Sequence, residues 1–266
     1  MIITSNVIEP KPLNKKNLLD LITGKTLALR VYPFVSVETC ENWQKSIEKS
    51  KLRNRYSNAT DVPVNRIGMT LFETENDSEK LKLYLKKAQK TLSLMEHLFG
   101  KVNPIQTLLS SLDFARENGV NVSKLHGQTM NPGIIRSFES NKGGGLPAHV
   151  DSLLKDLPDA DEFRNLQSQL AANLYFSVPQ KGGELEVWNF APNAHELKDL
   201  FTGNYDFIDT NKISLKPQRF SPKVGELILF RSNCVHSVKA GEGGTRSAAS
   251  CFIGYHEINK ALTVWV

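Results

Sequence analysis

The sequence predicts a mainly β protein with a helical N-terminal layer, its β part an antiparallel sandwich or jelly roll, folded as one domain over residues 1–266. Three observations carry this. From about residue 130 the chain breaks into short runs rich in β-branched and aromatic residues. Glycine-, proline- and asparagine-rich turns separate most of them. Before that point apolar residues recur at helical intervals instead. Few helices interrupt the strand-rich half, which disfavours parallel βαβ units and favours two packed antiparallel layers.

In chain order, "SVETCENWQKSIEKSKL" (36–52) mixes apolar and charged residues with helical spacing. "SEKLKLYLKKAQKTLSLMEHLFGKV" (78–102) reads as one long amphipathic helix, with Leu81, Leu83, Leu85, Ala88, Leu92, Met95 and Leu98 in or near a common stripe and Gly100 as its stop. "NPIQTLLSSLDFARENG" (103–119) opens on Asn-Pro and ends in Asn118-Gly119, a third helix. These put residues 1–129 in a mostly helical support and lid region. Strands are expected at 133–138, 147–151, 170–178, 184–190, 226–230, 236–240 and 246–256, separated by turns such as "NKGGG", "PQKGG" and "GEGG". They form a β core over 130–258, with a helical insertion near 191–207.

Composition excludes several classes. With 40% hydrophobic and 23% charged residues the chain is an ordinary globular protein. Lys plus Arg exceeds Asp plus Glu by 33 − 28 = 5, but the basic residues are scattered rather than striped, so no nucleic-acid partner is expected. The three cysteines, Cys40, Cys234 and Cys251, lack C-x-x-C spacing, against a disulfide framework or a cysteine zinc site. No apolar run has signal-peptide or membrane-spanning length, so the expected address is cytoplasmic with no membrane partner.

"LPAHVDS" (146–152) places His149 and Asp151 two residues apart, on one face if the strand runs through both. Alone, the pair fits two polar residues on an exposed sheet better than a metal site, because a His-x-Asp arises often by chance. A facial two-histidine, one-carboxylate iron site needs a third ligand from a strand adjacent in space and distant in sequence. His97 and His195 sit in helical stretches, His126 in a loop and His256 after the last strand. His236 follows an apolar strand and a tight turn in "GELILFRSNCVHSV" (225–238), and Arg246 comes ten residues later, across "GEGG" (246 − 236 = 10).

Over residues 130–256 these features, with "VPQKGGELEVW" (178–188), resemble the iron(II)- and 2-oxoglutarate-dependent oxygenases, whose core is a double-stranded β-helix. The "VP…GGEL" stretch is similar to a subgroup acting on free small molecules, the carrier-independent halogenases and related hydroxylases. The resemblance implies that His149, Asp151 and His236 bind Fe(II) and that Arg246 pairs with the distal carboxylate of 2-oxoglutarate. Dioxygen would be the oxidant. Asn173 or Tyr175, which share a face with Ser177, would add a co-substrate hydrogen bond. Arg136 would touch the co-substrate or an acidic group of the substrate. Halogenases of the subgroup carry a small residue where this chain has Asp151, so the resemblance implies hydroxylation or another oxidation of a small molecule. A peptide hydroxylase, a cupin-like metalloenzyme and a non-catalytic jelly roll are the alternatives. Nucleic-acid demethylases carry a second arginine at the position of Phe252 and are disfavoured. The chain carries no signal for oligomeric state.

Overall fold

The computed structural model describes residues 7–9, 12–56, 63–139, 145–203 and 206–266. Of the regions named above, positions 1–6, 10–11, 57–62, 140–144 and 204–205 lie outside these.

Local chemistry sets the helix ends. Ser36 Oγ accepts the Thr39 N–H at 3.2 Å and caps the Val37–Lys49 helix. Asn103 Oδ1 accepts from Gln106 N at 2.9 Å, and Pro104, which has no N–H to satisfy, opens the Pro104–Ala115 helix. The stretch expected as one helix over 78–102 is two, Ser78–Ala88 and Thr91–Phe99. The break has a packing cause. Tyr84 and Leu85 join a cluster with Met69, Met130 and Trp265, whereas Met95 enters the main core with Trp43 and Leu108. One straight rod cannot present its stripe to both. The second segment ends at Gly100, whose φ of 82° is open to glycine at little cost.

The major sheet is ten-stranded among the described residues. Its centre runs Ala28–Val31, Glu226–Arg231, Ser168–Ser177, Thr245–Tyr255, Ile134–Glu139 and Val64–Ile67. A minor sheet runs Gln218–Phe220, Leu185–Val187, His236–Val238 and Leu146–His149. The period of two along each strand explains how one sheet serves two cores. In Ser168–Ser177, Leu170, Ala172, Leu174 and Phe176 face the helices, where they pack with Trp43, Ile47 and Leu112. Ala171 and Tyr175 face the other way and pack, with Ile228 and Phe230, on Leu185, Val187 and Phe220 of the minor sheet. The molecule is therefore a jelly roll backed by helices.

Among the described residues, five strands of the major sheet come from the N-terminal half, where the sequence suggests mostly helix, and two of these pair with strands of the β core. Ala28–Val31 pairs with Glu226–Arg231, and Val64–Ile67 with Ile134–Glu139. At four residues each they are too short to show a period, and their pairing partners are what make them strands. No helix among the described residues is long and apolar enough to cross a membrane.

Candidate metal centre

His236 and His149 are direct register partners on adjacent antiparallel strands of the minor sheet, so residues 87 positions apart (236 − 149) meet at one point. Their ring centroids are 4.2 Å apart. The strand expected over 147–151 ends at His149. Asp151 therefore lies just beyond the sheet, where its N–H donates to Ser232 O at 2.9 Å, on the segment leading from Glu226–Arg231 to His236. The aspartate reaches the histidines because this backbone bond turns the chain, and not because a pleat aligns the two side chains. His149 Nε2 lies 4.0 Å and His236 Nε2 3.3 Å from Asp151 Oδ2. One ligand atom from each of the three residues lies within 4.8 Å of the others.

Both imidazoles are braced by the backbone. His149 Nδ1 is 2.8 Å from Pro147 O, and His236 Nδ1 2.9 Å from Cys234 O. A carbonyl only accepts, so each Nδ1 carries the proton and donates. A ring that is neutral then turns its Nε2 lone pair to the carboxylate oxygen, an arrangement that repels unless a cation lies between them. This is the tautomer that a metal-ligating histidine needs. Burial first, then the neighbouring His236, pushes the His149 imidazole down to about 4, so it is neutral at pH 7. Burial pushes the Asp151 carboxyl up, but the adjoining His236, then His149 and Arg136, outweigh it and hold it below the usual carboxylate range. Phe230 packs edge-on against His236, with centroids 4.9 Å apart. Gln169 Oε1 accepts from Leu153 N at 2.8 Å, fixing the segment just after Asp151.

Behind the triad lies a small cavity lined by His149, Asp151, His236, Asn173, Arg136 and Arg246, among others. Arg246 is only 5% exposed. Its Nη2 donates to Tyr175 Oη at 3.0 Å, its guanidinium lies 4.9 Å from the Phe138 and Tyr175 ring centroids, and its Nε has no partner. An incompletely satisfied buried guanidinium facing a cavity suits a carboxylate ligand. The donor set, the orphaned Nε and the cavity between them fit a chelating oxo-acid and a divalent metal. Asn173 lines this cavity and accepts from Ser250 Oγ at 2.7 Å. Tyr175 does not line it and acts on it through Arg246. Ser177, on the same face, is spent on Thr245 O at 2.7 Å.

A second cavity, about 150 Å³ against about 40 Å³ for the first, shares Arg136, Phe138, His149, Asp151 and Phe252 with it. Its wall includes Tyr56, Leu71 and Phe72 from the N-terminal half and Asp206 and Phe207 from the insertion. The other four histidines line neither cavity. Two residues here escape the sequence reading. Gln169 lies one pleat before the strand's expected start at 170, on the Ala171–Asn173 face, and Tyr56 stands beside Arg136 only because Val64–Ile67 joins the sheet.

The family described as carrier-protein-independent halogenase WelO5 matches residues 14–265. The chain belongs to this family. No curated protein matches it at a significant level. Among solved structures, an N-substituted L-amino acid dioxygenase from Burkholderia ambifaria AMMD is 13% identical, covering 95% of this chain and 91% of its own, with a TM-score of 0.67. The same dioxygenase in complex with alpha-ketoglutarate is 14% identical at a TM-score of 0.64, covering 94% and 90%. The carbocyclase SnoK from nogalamycin biosynthesis, alpha-ketoglutarate dependent, is 13% identical at 0.51, covering 94% and 89%. At these identities the likeness is one of fold, the double-stranded β-helix. This WelO5-family chain is thus an enzyme of the iron(II)/2-oxoglutarate oxygenase superfamily, with Fe(II) and 2-oxoglutarate as its cofactor and co-substrate.

Proposed function

We propose that this protein hydroxylates an unactivated C–H bond of a small molecule, consuming 2-oxoglutarate and dioxygen and releasing succinate and CO2. The observation that carries the reading is the convergence of His149, Asp151 and His236 within 4.8 Å beside a cavity that Arg246 lines. In this reading His149 Nε2, His236 Nε2 and the Asp151 carboxylate would hold Fe(II), a two-histidine, one-carboxylate donor set that suits this metal. The bound metal and oxo-acid supply the oxidising chemistry; the protein's part is binding, orientation and exclusion of water.

Arg246 takes the distal carboxylate of 2-oxoglutarate, with Tyr175 fixing the guanidinium and Asn173 within reach of the same cavity. The charges close: Fe(II) with Asp151 is +1, the co-substrate brings −2, and Arg246 restores zero. The wall of the larger cavity holds the substrate carbon beside Asp151, and Phe252 gives that wall an apolar side where a nucleic-acid demethylase would carry an arginine.

The family's description makes halogenation the second reading. Halide binding needs a metal position that a carboxylate ligand fills, so Asp151 favours hydroxylation. The test is an anaerobic titration with Fe(II) and 2-oxoglutarate for a weak visible charge-transfer band, followed by aerobic assay of succinate against a metabolite panel and product analysis in excess chloride. A band and oxygenated product are expected; no binding of metal or oxo-acid, or dominant chlorination, overturns the reading.

A further inference from the structure

We infer that Arg136 anchors a carboxylate of the substrate, so that the molecule oxidised is a small acid with an apolar body; this rests on the oxygenase reading above. Arg136 lies on the Ile134–Glu139 strand and lines both cavities, with His149 and Asp151 on the same walls. Its Nε donates to Tyr56 Oη at 2.9 Å, which fixes the plane of the guanidinium. Among the described residues no carboxylate lies within 4.0 Å of it, the limit for an ion pair.

That sets it apart from three other arginines on these sheets. Arg30 pairs with Glu226, Arg219 with Glu186, and Arg66 with Glu73. Arg66 is the register partner of Arg136 on the neighbouring strand, so two guanidiniums lie side by side, and Glu73 ion-pairs with the first while acting on Arg136 only through its charge. The ring of Tyr56 lies against Arg66, 5.4 Å from guanidinium carbon to centroid, while its hydroxyl holds Arg136. Although burial disfavours its charge, Tyr56, Asp151 and Glu73 keep Arg136 protonated.

With Fe(II), Asp151, 2-oxoglutarate and Arg246 summing to zero, Arg136 leaves the pocket with one unbalanced positive charge. The co-substrate has two carboxylates, one for the metal and one for Arg246, and none remains. Of the acids on the larger cavity's wall, Asp206 is paired with Lys155, and burial pushes the Asp156 carboxyl up to about 7. A carboxylate brought by the substrate supplies the missing charge and matches the forked donor geometry of arginine. The rest of the wall, including Leu71, Phe72, Val150, Phe207 and Trp265, suits an apolar body.

The test uses the full-length protein loaded with Ni(II) and 2-oxoglutarate, so that ligands bind without turnover. N-acetyl-L-leucine, N-acetyl-L-phenylalanine and 4-phenylbutanoate are each compared with their methyl esters by calorimetry and thermal shift, in wild type, Arg136→Met and Arg136→Lys. We expect at least one acid to bind at least tenfold tighter than its ester in wild type, as a charged hydrogen-bonded pair gives on the order of 10- to 100-fold. That preference should fall below threefold in Arg136→Met and be partly retained in Arg136→Lys, which keeps the charge if the methionine variant does not fold. The Kd for 2-oxoglutarate should stay within threefold throughout. Acids and esters binding alike in wild type, a preference that survives Arg136→Met, or a tenfold loss of 2-oxoglutarate affinity in that variant overturns the inference. Wild-type protein that binds no 2-oxoglutarate overturns the oxygenase reading, and the acid-over-ester comparison is read separately.

Discussion

Arg246→Met separates the two states of the co-substrate cavity. Without ligand, Arg246 is 5% exposed, donates one hydrogen bond to Tyr175 at 3.0 Å, and leaves its Nε without a partner. Removing it costs that bond and the stacking on Phe138 and Tyr175, but also removes an incompletely satisfied buried charge. Cation–π contacts of this kind are worth about 1–2 kcal/mol and an orphaned buried donor costs about 1–3 kcal/mol, so the effects offset. The melting temperature of the ligand-free protein should therefore move by only a few degrees. With 2-oxoglutarate bound, the same change leaves a buried carboxylate unpaired. Truncating one partner of such a pair costs about 2–5 kcal/mol, or roughly 30- to 4,000-fold in Kd. Anaerobic titration of the Fe(II) protein with 2-oxoglutarate reads that Kd directly, and a parallel metal titration should show iron affinity unchanged within about threefold. A 2-oxoglutarate Kd within threefold of wild type would refute the assignment. So would a collapse of metal binding, which would mean the arginine supports the triad rather than the co-substrate.

Asp151→Gly should lower iron affinity by at least about 10- to 100-fold, the loss that follows when only an outer partner of a metal ligand is removed; with chloride and 2-oxoglutarate restored, the product should shift from hydroxylated toward halogenated, read by mass spectrometry. Gln169→Leu strands the buried Leu153 N–H, so unfolding free energy should fall by about 1–3 kcal/mol and metal affinity should fall with it, checked by denaturation and metal titration. The Asp156 carboxyl, pushed up by burial and by Asp151 to about 7 from its ordinary value near 4, favours folding when protonated. That contribution is complete below about pH 4 and is lost as pH rises through 7. Asp156→Asn should therefore be more stable than wild type by about 1–3 kcal/mol at pH 8, after discounting for solvent, with the difference vanishing near pH 4. Thermal denaturation across that range decides it, and a constant difference would disprove the cause.

The sequence carried the strand-rich half well because its strands alternate strongly. "LAANLYFSV" displays its two faces in the letters, and the structure sends Leu170, Ala172 and Leu174 to one core and Ala171 and Tyr175 to the other. The placement of His236 opposite His149 was legible from the turn and strand before it. What was hidden depends on long-range pairing. Ala28–Val31 and Val64–Ile67 become strands only beside their partners, and Tyr56 reaches Arg136 only because the second of them does. Asp151 leaves the sheet through a bond to Ser232, a residue 81 positions away (232 − 151) that no local pattern marks. The helix break at 89–90 answers to two separate clusters, and a single apolar stripe does not show which cluster each turn will meet.

The imidazole braces at Pro147 and Cys234 are peptide oxygens two residues before each histidine. No point mutation deletes a peptide oxygen, so the proton arrangement on both rings is insulated from drift in the surrounding side chains. Evolution can thus redecorate the substrate chamber freely, trading aromatic for aliphatic or charged for neutral, while the reactive nitrogens keep their bearing.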